Sequence, residues 1–188
     1  VDWRDEDSGV THTPYGAEEY QKVSSPYNCK NRPFDNVEEL LLVKGMTQDI
    51  FEKIKDFVTV FPKQPARLTI NVNTAPEEIV RALGRSVAGP VTNTSREDAD
   101  SMARKVVECR NGTDGIEGTK DDSPVEIGKM SLNSKEQAIF LTMSQYFVKV
   151  SQFLHIKLIG TEKNSNIQTI IDAVVGRADQ KILFWKVD

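Results

Sequence analysis

The spacing of hydrophobic residues predicts helices over most of the chain before residue 144. Apolar side chains recur every three or four positions, as on the buried face of an amphipathic helix. Each such segment follows a residue that commonly caps a helix N-terminus, and Gly45 and Gly84 are expected to end two of the helices. The predicted capping residues are Asp35, Thr47, Thr74 and Ser95, with further short helices at Ala17–Val23 and near Ser134–Met143.

From Tyr146 onwards, apolar and polar residues alternate, which is the period of a half-buried strand. A run of helices followed by a run of strands is typical of an α+β fold. We therefore expect a helical domain at 1–144 and an antiparallel β-sheet at 145–188. The predicted extended segments are a short one at Leu68–Val72 and a meander of three strands at Tyr146–Leu158, Ile167–Val175 and Lys181–Val187.

The charge balance narrows the range of functions. The 188 residues carry a net charge of −4, with a pI near 5.3, whereas a protein that binds nucleic acid usually presents a basic face. Hydrophobic residues make up 38% and charged residues 28% of the chain, which indicates a globular protein. No apolar run approaches the ~18 residues that span a bilayer.

Catalytic groups are few. We expect His12 in a loop and His155 on the polar face of a strand, and neither has a neighbouring Ser, Cys or Asp that suggests a triad. We therefore do not expect an enzyme, and a calcium-dependent hydrolase with an Asp or Glu base is the enzymatic alternative.

The segment from Arg110 to Pro124 carries the strongest candidate chemistry. Four carboxylates lie among three glycines and two threonines, and clustered carboxylates repel one another unless a cation lies between them. Glycines allow such a loop to turn tightly, and Ca²⁺ accepts about 6–8 oxygen ligands in irregular geometry. The candidate metal ligands are Asp114, Glu117, Thr119, Asp121 and Asp122. A solvated acidic turn is the alternative.

A second acidic stretch lies near the start of the chain. Asp5 and Asp7 alternate in WRDEDS, and Glu18 follows in GAEE. If a turn folds the second segment onto the first, three carboxylates meet around one ion. The alternative is an acidic segment that precedes a helix.

The chain contains two cysteines, Cys29 and Cys109, and neither belongs to a C-x-x-C motif. They are compatible with one disulfide in an oxidising compartment and equally with two buried thiols.

Two segments resemble pieces of helix-hairpin-helix modules, namely LLLVKGM (40–46) and INVNTAPEEIVRAL (70–83). In DNA-binding modules the hairpin turn donates backbone amides to phosphate, with Lys or Arg nearby. Here Lys44 and Lys53 lie among acidic residues, which repel a phosphate backbone. We interpret the hairpins as structural and keep a nucleic-acid-binding module as the alternative function.

Taken in order, several segments resemble the K-type minor pseudopilins of the type II secretion system, the general secretion pathway protein K family. The matching segments are VDWRDEDS (1–8), GAEEY (16–20), PYNCKNRPFDNVEELLLVKGMT (26–47), FVTVFP (57–62), INVNTAPEEIV (70–80) and ILFWKVD (182–188).

The resemblance implies a non-enzymatic, pilin-like subunit with a helical domain inserted into its sheet region, at the tip of the periplasmic pseudopilus. It implies the I- and J-type minor pseudopilins as partners, contact with secreted protein substrates, and no nucleic acid. An N-terminal helix outside this chain would anchor the full-length protein at the periplasmic face of the inner membrane.

The resemblance also implies one or two calcium ions. Asp5, Asp7 and Glu18 match the acidic N-terminal motif of the family, whereas Asp114, Asp121 and Asp122 match its other acidic loop only by residue type.

Overall fold

A computed structural model describes Trp3 and residues 27–63, 68–163 and 167–187. The chain divides into two compact units, Val1–Ala66 and Arg67–Asp188. The division into helical residues 1–144 and sheet residues 145–188 stays a prediction. The short helix predicted at Ala17–Val23 lies outside the described residues.

The described part of the first unit contains two consecutive helices. A 3₁₀ helix at Val37–Leu42 precedes α1 at Gln48–Ile54, and α1 continues into a 3₁₀ turn at Lys55–Phe57. Gly45 lies in the connection with a φ of +90°, a conformation that favours glycine. The predicted pair of helices is therefore present, with a tighter first helix than a regular α-helix.

The N-cap of α1 is Thr47, as predicted, whereas the N-cap of the 3₁₀ helix is a different residue from the predicted one. The Thr47 hydroxyl accepts a hydrogen bond from the Ile50 backbone amide at 3.2 Å. The prediction of Asp35 as a cap is wrong, because Asn36 lies at the N-cap and its Oδ1 accepts from the Glu39 amide at 3.1 Å.

Asp35 instead forms ion pairs. Its carboxylate lies 2.8 Å from the Lys30 ammonium and 3.0 Å from the Lys63 ammonium. Hydrogen bonds donated by Lys30 and then Lys63 lower the pKa of Asp35 to about 2.

Three α-helices form the helical part of the second unit: α2 at Glu77–Val87, α3 at Arg96–Arg110 and α4 at Ser134–Met143. Short 3₁₀ turns occur at Ile127–Lys129 and Ser144–Tyr146. Ser95 caps α3 as predicted and shares a capping box with Asp98. The prediction of Thr74 as the cap of α2 is wrong, because Pro76 lies at that N-cap and the helix starts after it.

The hydrophobic core of the second unit lies where α2, α3 and α4 meet. Side chains with no exposed surface come from all three helices, and they include Val80, Met102, Val106, Ile139 and Met143.

Gly84 lies inside α2, so the prediction that it ends the helix is wrong. A Cβ at this position would lie 3.1 Å from Met102 Cε and 3.3 Å from Ala99 Cβ. The missing side chain therefore allows α2 and α3 to approach closely.

The predicted strand at Tyr146–Leu158 is two strands. β1 (Ile70–Asn71) pairs in parallel with β2 (Phe147–Val148), and the two strands form a small sheet. β3 starts only at Phe153 and runs to Thr161 in a different sheet. The alternating pattern continues through the connection at 149–152, so it hides this change of partner.

β3 forms the predicted antiparallel meander with β4 (Gln168–Gly176) and β5 (Ile182–Val187), in the order β3-β4-β5. The mixture of helices with a C-terminal antiparallel sheet confirms the α+β fold class. No helix among the described residues is both long and apolar enough to cross a bilayer.

Candidate functional site

The acidic loop starts where α3 ends, and both of its ends are held in place. The Ser123 backbone amide donates to the Arg110 carbonyl at 3.0 Å, which closes the base of the loop. Arg110 is only 5% exposed, and its Nη1 donates to the carbonyl oxygens of Val72 at 3.1 Å and Ala75 at 2.6 Å. The loop is therefore attached to the segment that connects β1 with α2.

Asp121 organises the interior of the loop. Its Oδ2 accepts hydrogen bonds from the Thr113 amide at 2.7 Å and the Thr113 hydroxyl at 2.9 Å, while its Oδ1 accepts from the Thr119 hydroxyl at 2.7 Å. The bonds from Thr119 and then Thr113 hold the pKa of Asp121 well below its usual range. Gly112 adopts a φ of +64° beside this carboxylate, and a Cβ there would clash with it.

The Thr119 hydroxyl lies where the oxygens of the loop converge. It is 3.4 Å from Oδ1 of Asp114 and of Asp122, 2.7 Å from Oδ1 of Asp121, and 3.2 Å from the Ile116 carbonyl. Three carboxylate oxygens and a carbonyl oxygen thus surround one atom.

The other predicted ligand of the loop is oriented differently. Glu117 is 59% exposed on its side chain and lies 3.9 Å from Arg110 Nη2. Over the part of the chain that the structure describes, no three His, Cys, Asp or Glu side chains are grouped so that they could hold a metal ion. The carboxylates accept hydrogen bonds from the loop itself.

Two further sequence predictions have different outcomes. Asp5, Asp7 and Glu18 lie outside the described residues, so the second calcium site stays a prediction. Cys29 and Cys109 are half-buried thiols in the structure, and the disulfide also stays a prediction.

Glu136 is a buried charged residue that the sequence analysis missed. It is 1% exposed at the start of α4, and its carboxylate accepts hydrogen bonds from the Lys105 ammonium at 2.7 and 2.9 Å and from the Ser101 hydroxyl at 2.6 Å. It also accepts from the Asn133 backbone amide at 2.8 Å, within a capping box. The N-x-x-E spacing of Asn133 and Glu136 was the signal available in the sequence.

His155 has a partner that the sequence analysis did not predict. Its Nε2 lies 3.1 Å from Asp172 Oδ1 on the neighbouring strand β4. The His155 side chain is 68% exposed, so this is a pair at the protein surface.

One face of the meander is apolar. The strand register places Leu154, Ile156 and Leu158 opposite Val175, Ala173 and Ile171, with Trp185 and Val187 of β5 on the same face. The large side chains of the two outer strands remain 37–58% exposed. We call this surface the apolar sheet face, and it is defined by Leu154, Ile156, Leu158, Trp185 and Val187.

Two lysines of the first unit are paired with carboxylates. The Lys55 ammonium lies 2.5 Å from Glu52, and the Lys30 ammonium lies 2.7 Å from Glu39 as well as beside Asp35. These lysines are neutralised by carboxylates, so the nucleic-acid-binding alternative is not favoured.

Comparison with solved structures shows that the fold of this chain also occurs in another protein. The chain superimposes over 100% of its length, with a TM-score of 0.61 and 18% sequence identity, on a chain of the GspK-GspI-GspJ complex from the enterotoxigenic Escherichia coli Type 2 Secretion System. The match covers 60% of that chain. The α+β fold is therefore one that also occurs in a chain of that complex.

The sequence comparisons point to one subunit type. Residues 1–63 match the family model described as Type II secretion system (T2SS), protein K. The Type II secretion system protein K of Aeromonas hydrophila is 29% identical over 79 residues, which are 41% of this chain and 23% of that protein. These findings confirm the resemblance to the K-type minor pseudopilins that the sequence motifs carry.

Proposed function

We propose that the chain belongs to a K-type minor pseudopilin, a non-enzymatic subunit at the tip of the type II secretion pseudopilus. The observation that carries this proposal is that the same chain matches protein K in its sequence and a chain of the GspK-GspI-GspJ complex in its fold. Residues 1–63 match protein K, and the fold follows a chain of the minor pseudopilin complex over the whole length of this one. The matched relatives are considerably longer than this chain, so the role of the whole protein is part of the proposal.

The proposed partners are the I- and J-type minor pseudopilins. The solved complex contains GspK together with GspI and GspJ. The apolar sheet face offers a surface for such a partner, because contiguous exposed apolar side chains commonly mark protein contacts. Trp185 is 58% exposed at the edge strand β5, and tryptophan is enriched among the residues that dominate binding energy.

The test for assembly is to mix this chain with purified I- and J-type pseudopilins and to measure the molar mass of the product by light scattering. We expect a complex, and Trp185→Ala should weaken it at least about tenfold, which corresponds to 1.4 kcal/mol. Lys157→Ala on the opposite face of the sheet is the matched control and should have no effect. If Trp185→Ala binds normally, the interface lies elsewhere, whereas the absence of any complex overturns the assignment of partners.

Calcium stabilisation is the second part of the proposal. The donor set fits the ion, because carboxylate and carbonyl oxygens are the ligands that Ca²⁺ prefers. The oxygens of Asp114, Asp121, Asp122 and Ile116 already converge on the Thr119 hydroxyl. These groups, with Glu117, would hold the ion, whose charge would neutralise their mutual repulsion and tie the two halves of the loop together.

The test for calcium is thermal melting of the chain in Ca²⁺ and in EDTA. An ion that binds only the folded state at 100 times its Kd stabilises by about 2.7 kcal/mol, so the melting midpoint should rise by several degrees. The double substitution Asp121→Asn with Asp122→Asn should remove the response. Equal midpoints in Ca²⁺ and EDTA for the unaltered chain would show that the loop is a solvated acidic turn.

The proposed location follows from the class of protein. A pseudopilus subunit works in the periplasm, and a helix beyond this chain would anchor the full-length protein to the inner membrane. Secreted proteins are the proposed contacts of the exposed tip. Fractionation of cells that produce the full-length protein tests this location, and a purely cytoplasmic distribution contradicts it.

A further inference from the structure

Asn111 and Gly112 form the single Asn–Gly pair in the sequence. The pair lies where α3 ends and the acidic loop begins, because Asn111 is the C-cap of α3. In such a pair the backbone nitrogen of the glycine can attack the side-chain Cγ of the asparagine, since no glycine side chain shields the nitrogen. The junction between α3 and the loop therefore carries a reactive side chain.

The conformation of the loop requires this glycine. Gly112 adopts a φ of +64°, and a Cβ there would clash with the carboxylate of Asp121. An L side chain fits at this position only with strain, so a bulkier residue after Asn111 is not available to block the attack. The remaining protection of Asn111 is the geometry of the folded loop.

The described conformation opposes the attack. The ψ of Asn111 is 10°, so the Gly112 nitrogen nearly eclipses the backbone nitrogen of Asn111 and is turned away from its side chain. The side-chain amide of Asn111 also donates to the Gly115 carbonyl at 3.4 Å, and its Oδ1 is buried. The Gly112 nitrogen and the Asn111 Cγ meet only after rotation about ψ, which requires the loop to open locally.

We propose that Asn111 is a site of spontaneous deamidation and that the folded loop suppresses the reaction. In the first step the Gly112 nitrogen forms a bond to the Asn111 Cγ, its proton passes to the departing amide nitrogen, and ammonia and a cyclic imide result. Water then adds to either carbonyl of the imide and gives aspartate or isoaspartate. The two steps need no co-reactant other than water.

The products alter the attachment of the loop. Aspartate places a charge at a side-chain oxygen that is buried, in a cavity that Glu117 and Asp122 also line, and a buried charge without a partner is costly. Isoaspartate instead lengthens the main chain by a methylene group directly after Arg110, which anchors the loop. Either product should loosen the connection between the loop and α3.

The test incubates the chain in mildly alkaline buffer and follows the peptide that contains Asn111 by mass spectrometry, because deamidation replaces an amide NH₂ by OH. The buffer contains EDTA, so the outcome does not depend on the calcium binding proposed above. We expect Asn111 to react at least about tenfold faster in guanidinium chloride than in the folded chain, since only the open fraction of folded molecules reacts. Asn73 and Asn133, which precede Thr74 and Ser134, are internal controls and should react more slowly than Asn111 in the denaturant.

Two variants test whether the loop itself controls the rate. Thr113→Val removes the hydroxyl that donates to Asp121 Oδ2 and keeps the size of the side chain. It should speed deamidation of the folded chain about fivefold, the change expected from one lost hydrogen bond. Thr142→Val is the matched control, because its hydroxyl donates to the Ala138 carbonyl within α4, and it should leave the rate unchanged.

The outcomes separate the site from its suppression. Equal rates for Thr113→Val and Thr142→Val, or equal rates in the folded and the unfolded chain, would overturn the suppression by the loop. If Asn111 reacts no faster than Asn73 and Asn133 in the denaturant, it is not a deamidation site and the proposal fails.

Discussion

Replacing Glu136 by glutamine removes the charge of a carboxylate that is only 1% exposed. The carboxylate joins α4 to α3 through the Lys105 ammonium and the Ser101 hydroxyl, and it also accepts a hydrogen bond from the Asn133 amide. Glutamine keeps the shape of the side chain but turns one acceptor oxygen into a donor that faces the ammonium group. The substitution therefore removes the negative member of a largely buried ion pair and leaves the Lys105 ammonium in place.

The structure sets the size of the effect. Removing one member of a buried ion pair costs about 3–5 kcal/mol, because the remaining charge is left without compensation. Lys105 is 31% exposed on its side chain, so its ammonium regains some contact with water and the cost falls towards the lower end. We expect Glu136→Gln to lower the free energy of unfolding by about 3 kcal/mol.

The effect should also depend on pH with a definite sign. Burial raises the pKa of Glu136, but the hydrogen bonds from Lys105, Ser101 and the Asn133 amide together outweigh it and leave the pKa below its ordinary value. A carboxyl group whose pKa is lower in the folded state stabilises the protein above its unfolded pKa of about 4.3. This contribution is lost as the pH falls through the lower, folded-state pKa.

Urea denaturation at pH 7 and at several acidic values measures both expectations. The difference in unfolding free energy between the unaltered chain and Glu136→Gln should be largest at pH 7 and shrink below about pH 4.3. Glu126→Gln is the matched control, since Glu126 pairs with Lys129 at the surface, with side chains 58% and 50% exposed. If Glu136→Gln costs no more than this control at pH 7, the argument from burial is refuted.

Two glycine substitutions test the close contacts described above. Gly84→Ala should destabilise the second unit by about 1 kcal/mol or more despite the better helix propensity of alanine, because the new Cβ meets Met102. The control is Gly128→Ala, which has open space around its Cβ. This control should be close to neutral in the same melting experiment. Gly112→Ala should abolish the calcium-dependent rise in the melting midpoint, because the positive φ of Gly112 and its contact with Asp121 exclude a side chain. An unchanged calcium response would contradict the proposed role of this loop conformation in calcium binding.

Several features could be read from the sequence because they depend on neighbours along the chain. Thr47 and Ser95 cap helices through backbone amides three residues away, so their positions follow from local hydrogen bonding. The alternation after residue 153 predicts the meander for the same reason, since each hairpin joins adjacent segments. The motifs that resemble the K-type family also lie in continuous segments, which is why the resemblance is visible without a structure.

Other features were misjudged because they depend on residues that are distant in the sequence. Gly84 has the local character of a helix end, but its contact with α3 explains its presence inside α2. Phe147 continues an alternating pattern, but its strand pairs with Ile70 in another sheet. Neither the helix contact nor the parallel pairing leaves a periodic signal in the chain.

The sequence by itself therefore determined the α+β class, the capped helices, the meander, the acidic loop and the resemblance to protein K, all through short-range hydrogen bonding and continuous motifs. Only the tertiary structure decided that Arg110 attaches the loop to the core and that Glu136 is buried against Lys105. The physical reason is burial, because the partners of a charged or amide group decide its role, and those partners are brought together only when the helices pack.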